Sequence, residues 1–170
     1  MTTGEFLTRW TVRVAMALYV ASLASRRRFP TWSRVAWTAG CAAYLLHVEC
    51  AFEYYHHWSH AEAYEATARQ TADVVGLDWG GGLYVNYAFT FLWLADICWW
   101  WIDMESYLAR PLLIERVVQG FLGFIAFNAT VVFATGFSRW FGSAACVLLA
   151  VLLICRWHSV GSEKPRRLYQ

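Results

Sequence analysis

Long apolar stretches alternate with short polar connections along this chain. Five apolar stretches have 16 to 21 residues each. A helix rises about 1.5 Å per residue, and about 20 apolar residues cross a bilayer. We therefore predict an all-α fold, a multi-pass integral membrane helical bundle of five transmembrane helices in one domain over 1–170. The predicted spans are 10–25, 35–55, 83–102, 117–137 and 140–157.

The first apolar stretch also fits a second interpretation. Arg9 lies just before the apolar run and Arg13 lies inside it. The segment Ser22-Leu23-Ala24 at its end resembles a signal-peptide cleavage point. Cleavage there would leave the arginines at 26–28 directly after the cut, and such a cluster resists export. The alternative architecture is four spans preceded by a signal or anchor helix.

The outer loop, 56–82, carries the signals of a short helix. Ser59 and Glu62 match the capping box S-x-x-E, and Gly76 is suited to a left-handed helix end. These residues predict a helix from about His60 to Val75. A continuous helical extension of the second span through Ser59 fits the same pattern.

Composition supports a membrane location. The chain is 59% hydrophobic and 15% charged, whereas soluble domains carry about 25% charged residues. A net charge of +2 is too small to indicate nucleic-acid binding, so we expect no such partner. The five cysteines lie in apolar stretches without a C-x-x-C pair, which favours small apolar residues over a zinc ribbon. We expect the bacterial inner membrane, because no organelle signal is evident.

Charge placement predicts the orientation, since Lys and Arg collect in cytoplasmic loops. The second connection, counted from Glu53 to Asp78, has five acids against the single basic residue Arg69. We therefore expect the amino terminus and the 56–82 loop outside and the carboxyl terminus in the cytoplasm. The basic residues lie in the first connection and in the tail: Arg26, Arg27, Arg28, Arg34, Lys164, Arg166 and Arg167.

Four polar residues fall inside the predicted spans: His47, Glu49, Asp96 and Asn128. Polar groups in hydrocarbon are costly and need partners. At about 1.5 Å per residue, His47 and Asn128 reach a similar depth, so these two side chains could meet. Asp96 lies nearer the inner side. We expect it to take hydrogen bonds from Tyr or Trp, and Asn128 to join helices.

The segment EYYHHWSH, 53–60, holds three of the five histidines. At about 100° per residue, Glu49, Glu53, His56 and His60 share one face if the helix continues. His56 and His60 have the spacing at which two imidazoles bind one metal. The sequence predicts a metal site at Glu53, His56, His57 and His60, with Glu49 as a further ligand, for Zn, Cu or Fe.

The same residues allow two other interpretations. A Glu-x-x-His unit usually needs a second copy in helical di-iron sites, and the chain has none. Histidines beside carboxylates can instead relay protons, and Asp96 could continue such a path from Glu49. The histidines could also be only the wet end of a span, since their rings have an apolar body and a polar tip.

Three functions follow from these readings. The leading one is a small membrane protein that binds a metal ion or cofactor as an accessory subunit of a redox or transport complex. The alternatives are a proton- or ion-coupled carrier and a purely structural or assembly protein. No H-E-x-x-H or G-x-S-x-G motif is present, which favours a binding role over an independent enzyme. The expected partners are the lipid bilayer and other membrane subunits. The segment 68–89 has a distinctive sequence, but that sequence predicts no mechanism.

Overall fold

The structure is a computed structural model that describes residues 2–26 and 28–163, with side chains to residue 151. In this part of the chain 87% of residues are helical and no strand occurs, so the predicted all-α class is confirmed. The α-helices are α1 Thr3–Ser25, α2 Pro30–Tyr55, α3 His60–Val75, α4 Gly82–Ile102, α5 Met104–Ala109, α6 Leu112–Phe127 and α7 Gly136–Glu163, with a π-helix at Asn128–Val132 between α6 and α7.

Helix α1 begins well before the predicted start at residue 10. The Thr2 hydroxyl accepts a hydrogen bond from the Glu5 amide, and the Glu5 carboxylate accepts one from the Thr2 amide. This reciprocal pair satisfies two donors that a helix start leaves free. Helix α2 begins at Pro30, which lacks an N–H and has a φ suited to a first helical position.

Helix α3 confirms the predicted outer-loop helix. The Ser59 hydroxyl accepts a hydrogen bond from the Glu62 amide at 3.2 Å. At the other end Gly76 adopts a left-handed φ of 75° and donates its amide to the Ala72 carbonyl. Both end signals that the sequence carries are therefore used.

The alternative of one helix continuing through Ser59 is wrong. Helix α2 ends at Tyr55, and the backbone then reverses through His57 and Trp58, whose φ values are 48° and 58°. Residues with positive φ cannot belong to a right-handed helix. The second helix and the outer-loop helix are thus separate elements.

The long helices pack around an aromatic core. Ser22 of α1 and Ser33 of α2 each donate a hydroxyl to the other's carbonyl at 2.9 Å, which closes the first hairpin. Trp37, Trp93 and Leu122, from α2, α4 and α6, lie almost fully buried behind it. This core holds the middle of four helices together.

The fourth and fifth predicted spans differ at their shared boundary. Helix α6 ends at Phe127, a π-helical turn follows, and α7 already begins at Gly136 rather than at residue 140. The Arg139 guanidinium donates to the carbonyls of Val131 and Val132. These bonds satisfy carbonyls at the end of the π-helix, where no further helical turn is present.

Two helical stretches of the described chain are long and apolar enough to cross a membrane, Pro30–Tyr55 and Leu112–Val132. The apolar stretch Gly136–Val151 is shorter. By length and composition these two stretches indicate membrane association. The five spans, the choice of membrane and the orientation stay predictions.

Candidate functional site

The histidine end of the molecule comprises residues 53–60, where α2 gives way to α3. His56 directly follows the last residue of α2, and its carbonyl accepts a hydrogen bond from the Ser59 amide at 2.7 Å. In this tight connection the chain changes direction at two consecutive residues with positive φ, His57 and Trp58. The predicted metal ligands are therefore divided among a helix end, a turn and the next helix.

The acids and imidazoles at the histidine end have other partners. The Glu53 carboxylate accepts a hydrogen bond from the Trp58 indole at 2.7 Å. The His57 Nδ1–H donates to Glu62 at 3.2 Å, with both side chains largely exposed. Since Glu62 points to His57, only the Ser59 half of the predicted capping box is formed.

The geometry does not support the predicted metal site. In the described part of the chain, no three His, Cys, Asp or Glu side chains gather where they could hold one ion. The predicted single polar stripe is wrong, because the helix that would align Glu49, Glu53, His56 and His60 ends first. His60 instead lies beside the Tyr84 and Tyr87 rings, at centroid distances of 5.8 and 6.0 Å.

His56 is the partly buried histidine of this group. Desolvation lowers the pKa of His56 below its ordinary value, the nearby Glu62 charge opposes that effect, and His57 adds to it. Its Nδ1 atom is buried and has no hydrogen-bond partner among the described residues. The imidazole is consequently held in its neutral form at neutral pH.

Asp96 lies at the opposite end of α4 in a buried cluster. Its Oδ1 accepts from Arg110 at 2.7 Å, and its Oδ2 accepts from the Trp37 indole and the Tyr107 hydroxyl at 2.9 Å each. Three donors thus surround one buried carboxylate. This arrangement is typical of a charge fixed for structure, and it leaves Asp96 poorly placed to relay protons.

Tyr107 links this cluster to the first helix hairpin. Arg26 donates to the Tyr107 hydroxyl, and the Trp100 ring stacks on the Tyr107 ring at 4.6 Å. Burial is the main cause that raises the pKa of Tyr107. The hydroxyl therefore stays protonated and can donate its hydrogen bond to Asp96.

The sequence predicted part of the Asp96 environment. The expected hydrogen bonds from Trp and Tyr are confirmed, but the ion pair with Arg110 was missed. Arg110 follows Asp96 by 14 residues, across a helix end and the short helix α5. The Asp103 carboxylate caps α5 by accepting the Ser106 amide, so the sequence carried a signal for the start of α5 but none for the ion pair.

The other polar residues predicted inside the spans do not meet one another. The His47 Nδ1 hydrogen-bonds the Thr8 carbonyl at 2.8 Å, and the Asn128 side chain donates to the Phe124 carbonyl of its own helix. The predicted pairing of His47 with Asn128 is therefore absent from the hydrogen bonds of the described residues. Glu49 is exposed on α2.

A cavity of about 280 Å³ lies among α1, α2, α3, α4 and the end of α6. Its walls are mostly apolar and aromatic, with a few polar side chains that converge on it. Ligand sites in proteins have this composition and a similar size. The polar residues of the wall include His47, His56, Thr67, Gln70, Asn86 and Thr90.

This cavity gives the distinctive segment 68–89 a location. Gln70, Leu83, Asn86, Tyr87 and Phe89 of that segment all line it. The sequence marked the segment as unusual but could not show that α3 and α4 converge on one cavity. The sequence analysis therefore identified His47 and His56 as candidate site residues but did not predict the cavity that both line.

Comparisons with protein-family models, with curated proteins and with solved structures found no match to this chain. Neither a family nor a structural neighbour informs the function. The cavity and the chemistry of its walls therefore carry the functional argument.

Proposed function

We propose that this protein is a multi-pass membrane protein that binds a small, mostly apolar organic molecule in the cavity between its helices. The observation that carries the proposal is the cavity itself, about 280 Å³ in volume. Pockets that hold small molecules are concave, mainly apolar, and contain few placed polar groups. The walls contributed by five helices meet each of these conditions.

The outer surface supports the membrane part of the proposal. Phe91 is 73% exposed, Leu113 72% and Ile102 85%. Many other large apolar side chains are exposed, and apolar surface that is unfavourable in water costs nothing against lipid tails. The helices α1, α2, α4, α6 and α7 correspond in order to the five proposed crossings. The basic connection after α1 and the acidic loop around α3 favour an outside amino terminus.

The predicted metal and carrier functions lack comparable support. A metal site would need Glu53, His57 and His60 to converge, and these side chains have separate partners. A carrier would need Glu49 and Asp96 in one path, whereas one is exposed on α2 and the other is enclosed at the far end of α4. The cavity fits the binding role of an accessory subunit better than either.

Filling the cavity tests the proposal. Ala51 lines the cavity on α2, whereas Ala42 lies on the exposed side of the same helix. The wild type, Ala51→Phe and Ala42→Phe would be purified from membranes in mild detergent, and retained organic compounds identified by mass spectrometry. Overpacking costs about 1–3 kcal/mol, so we expect Ala51→Phe to lose roughly tenfold of a compound that the other two retain.

The comparison has a clear contrary outcome. If all three proteins retain the same compounds in the same amounts, the cavity is not where they bind. If wild type and Ala42→Phe retain only bulk membrane lipid, no selective ligand is present and the proposal fails.

A further inference from the structure

The hydrogen bond of His47 fixes how its ring can meet a ligand. Its Nδ1 lies 2.8 Å from the Thr8 carbonyl oxygen. A carbonyl only accepts hydrogen bonds, so Nδ1 carries the proton. In a neutral imidazole the second nitrogen, Nε2, is then an acceptor. No described group hydrogen-bonds this Nε2, and His47 belongs to the cavity wall.

The charge of the wall restricts the ligand. The described residues that line the cavity include no Asp, Glu, Lys or Arg. An ionised group placed there would lose its hydration without gaining a counter-charge. The cavity therefore selects an uncharged molecule, and the same argument keeps His47 neutral.

The rings of the wall favour a flat ligand. Tyr44 stacks on Trp93 at 5.8 Å with 27° between the ring planes, and Phe89 meets both rings edge-on at 5.0 and 5.4 Å. Such clusters add further rings in offset or edge-to-face contacts, each worth more than the area buried. His47 follows Tyr44 by one helical turn, so an acceptor stands beside these rings.

We infer that the molecule bound in the cavity is a neutral, planar aromatic compound whose O–H or N–H group donates a hydrogen bond to His47 Nε2. This inference rests on the proposed ligand-binding function. It requires no bond to be made or broken, because His47 accepts the hydrogen bond without taking the proton.

Two probes that differ in a single donor test the inference. Binding of 2-naphthol and of its methyl ether, 2-methoxynaphthalene, would be measured by equilibrium dialysis with the protein in nanodiscs, after subtracting uptake by empty nanodiscs. One hydrogen bond changes affinity by roughly 3- to 10-fold. We expect wild type to prefer 2-naphthol by that factor and His47→Phe to lose the preference.

Glu49→Gln is the control, because Glu49 lies on the same helix and is exposed. It should keep the preference of the wild type. A preference that survives in His47→Phe, or is lost equally in Glu49→Gln, overturns the role of His47. Equal binding of both probes to wild type overturns the inferred hydrogen bond from the ligand and leaves the proposed binding function of the cavity intact. Binding of neither probe overturns both.

A second measurement avoids substitutions. In wild-type protein with ¹⁵N-labelled histidine, the His47 Nε2 resonance should move when 2-naphthol is added and stay in place with the methyl ether. Movement with both probes, or with neither, contradicts the proposed hydrogen bond.

Discussion

Asp96 and Arg110 form an ion pair of 2.7 Å in which the two side chains are only 2% and 3% exposed. The pair ties α4 to the chain that follows α5, and it holds the end of the bundle opposite the histidines. Removing both charges from water is expensive, and only good geometry with further hydrogen bonds offsets that loss. Trp37 and Tyr107 supply those bonds, which explains why the carboxylate is tolerated there.

Breaking this pair should destabilise the fold strongly. Asp96→Asn leaves the Arg110 charge buried without a partner, a loss of about 3–5 kcal/mol in the free energy of unfolding. The double variant with Arg110→Met should lose less than the sum of the single variants. Unfolding by denaturant in detergent micelles, followed by circular dichroism, would measure both.

The exposed pair of Arg69 and Glu65, at 3.7 Å, provides the control. Glu65→Gln should change stability by about 0–1 kcal/mol. If Asp96→Asn has an equally small effect, the buried cluster does not hold the fold as described.

Two glycines should respond to alanine in opposite directions. A methyl group on Gly80 would lie 2.5 Å from the Tyr64 carbonyl oxygen, so Gly80→Ala must displace the turn that leads into α4. A methyl group on Gly120, inside α6, meets nothing within 4 Å. Thermal unfolding should show a clear loss for Gly80→Ala and a gain of about 0.5–1 kcal/mol for Gly120→Ala. Similar melting temperatures for the two variants would refute this packing.

His56 should make stability depend on pH. Its pKa is lowered in the folded protein, mainly by desolvation, so the unfolded chain binds the proton more readily. The contribution is present above about pH 6.5, the unfolded value, and is lost as pH falls through the folded pKa. Melting temperatures from pH 8 to 5 should fall less in His56→Gln than in wild type. Identical curves for the two proteins would count against this role.

Local signals in the sequence predicted much of the fold. Ser59 and Gly76 fixed both ends of α3, because end signals act over a few residues. The apolar stretches located the long helices, although Thr2 and Glu5 extended α1 beyond its apolar part. The length of an apolar segment predicts the position of a long helix without knowledge of the tertiary contacts.

The site was harder to predict because it depends on contacts between distant residues. Helical periodicity aligned Glu53 with His60 only on the assumption of a continuous helix. That helix is interrupted at His57 and Trp58, whose φ values are positive. No residue type in the segment signals the positive φ of His57 and Trp58. The turn is closed by the Trp58 amide on the Phe52 carbonyl and the Ser59 amide on the His56 carbonyl. The partnership of Asp96 with Arg110 and the convergence of segment 68–89 on His47 likewise arise only once the helices pack.

The proposed orientation has its own test. In a bacterial host, a reporter that is active only in the cytoplasm should work when fused after Gln170. A reporter that is active only after export should not. An epitope placed before Thr2 should be reached by antibody on intact spheroplasts. The reverse pattern would invert the proposed topology, and a tail and an amino terminus on the same side would exclude five crossings.

The most direct measurement of the central claim is photolabelling of the protein in nanodiscs with a diazirine derivative of naphthalene, followed by peptide mapping. We expect saturable labelling of cavity-lining positions such as Phe52 and Tyr87, which excess 2-naphthol prevents and Ala51→Phe abolishes. Labelling that does not saturate and is spread over outward residues such as Phe91 and Ile102 would mean simple partition into lipid and would contradict the proposal.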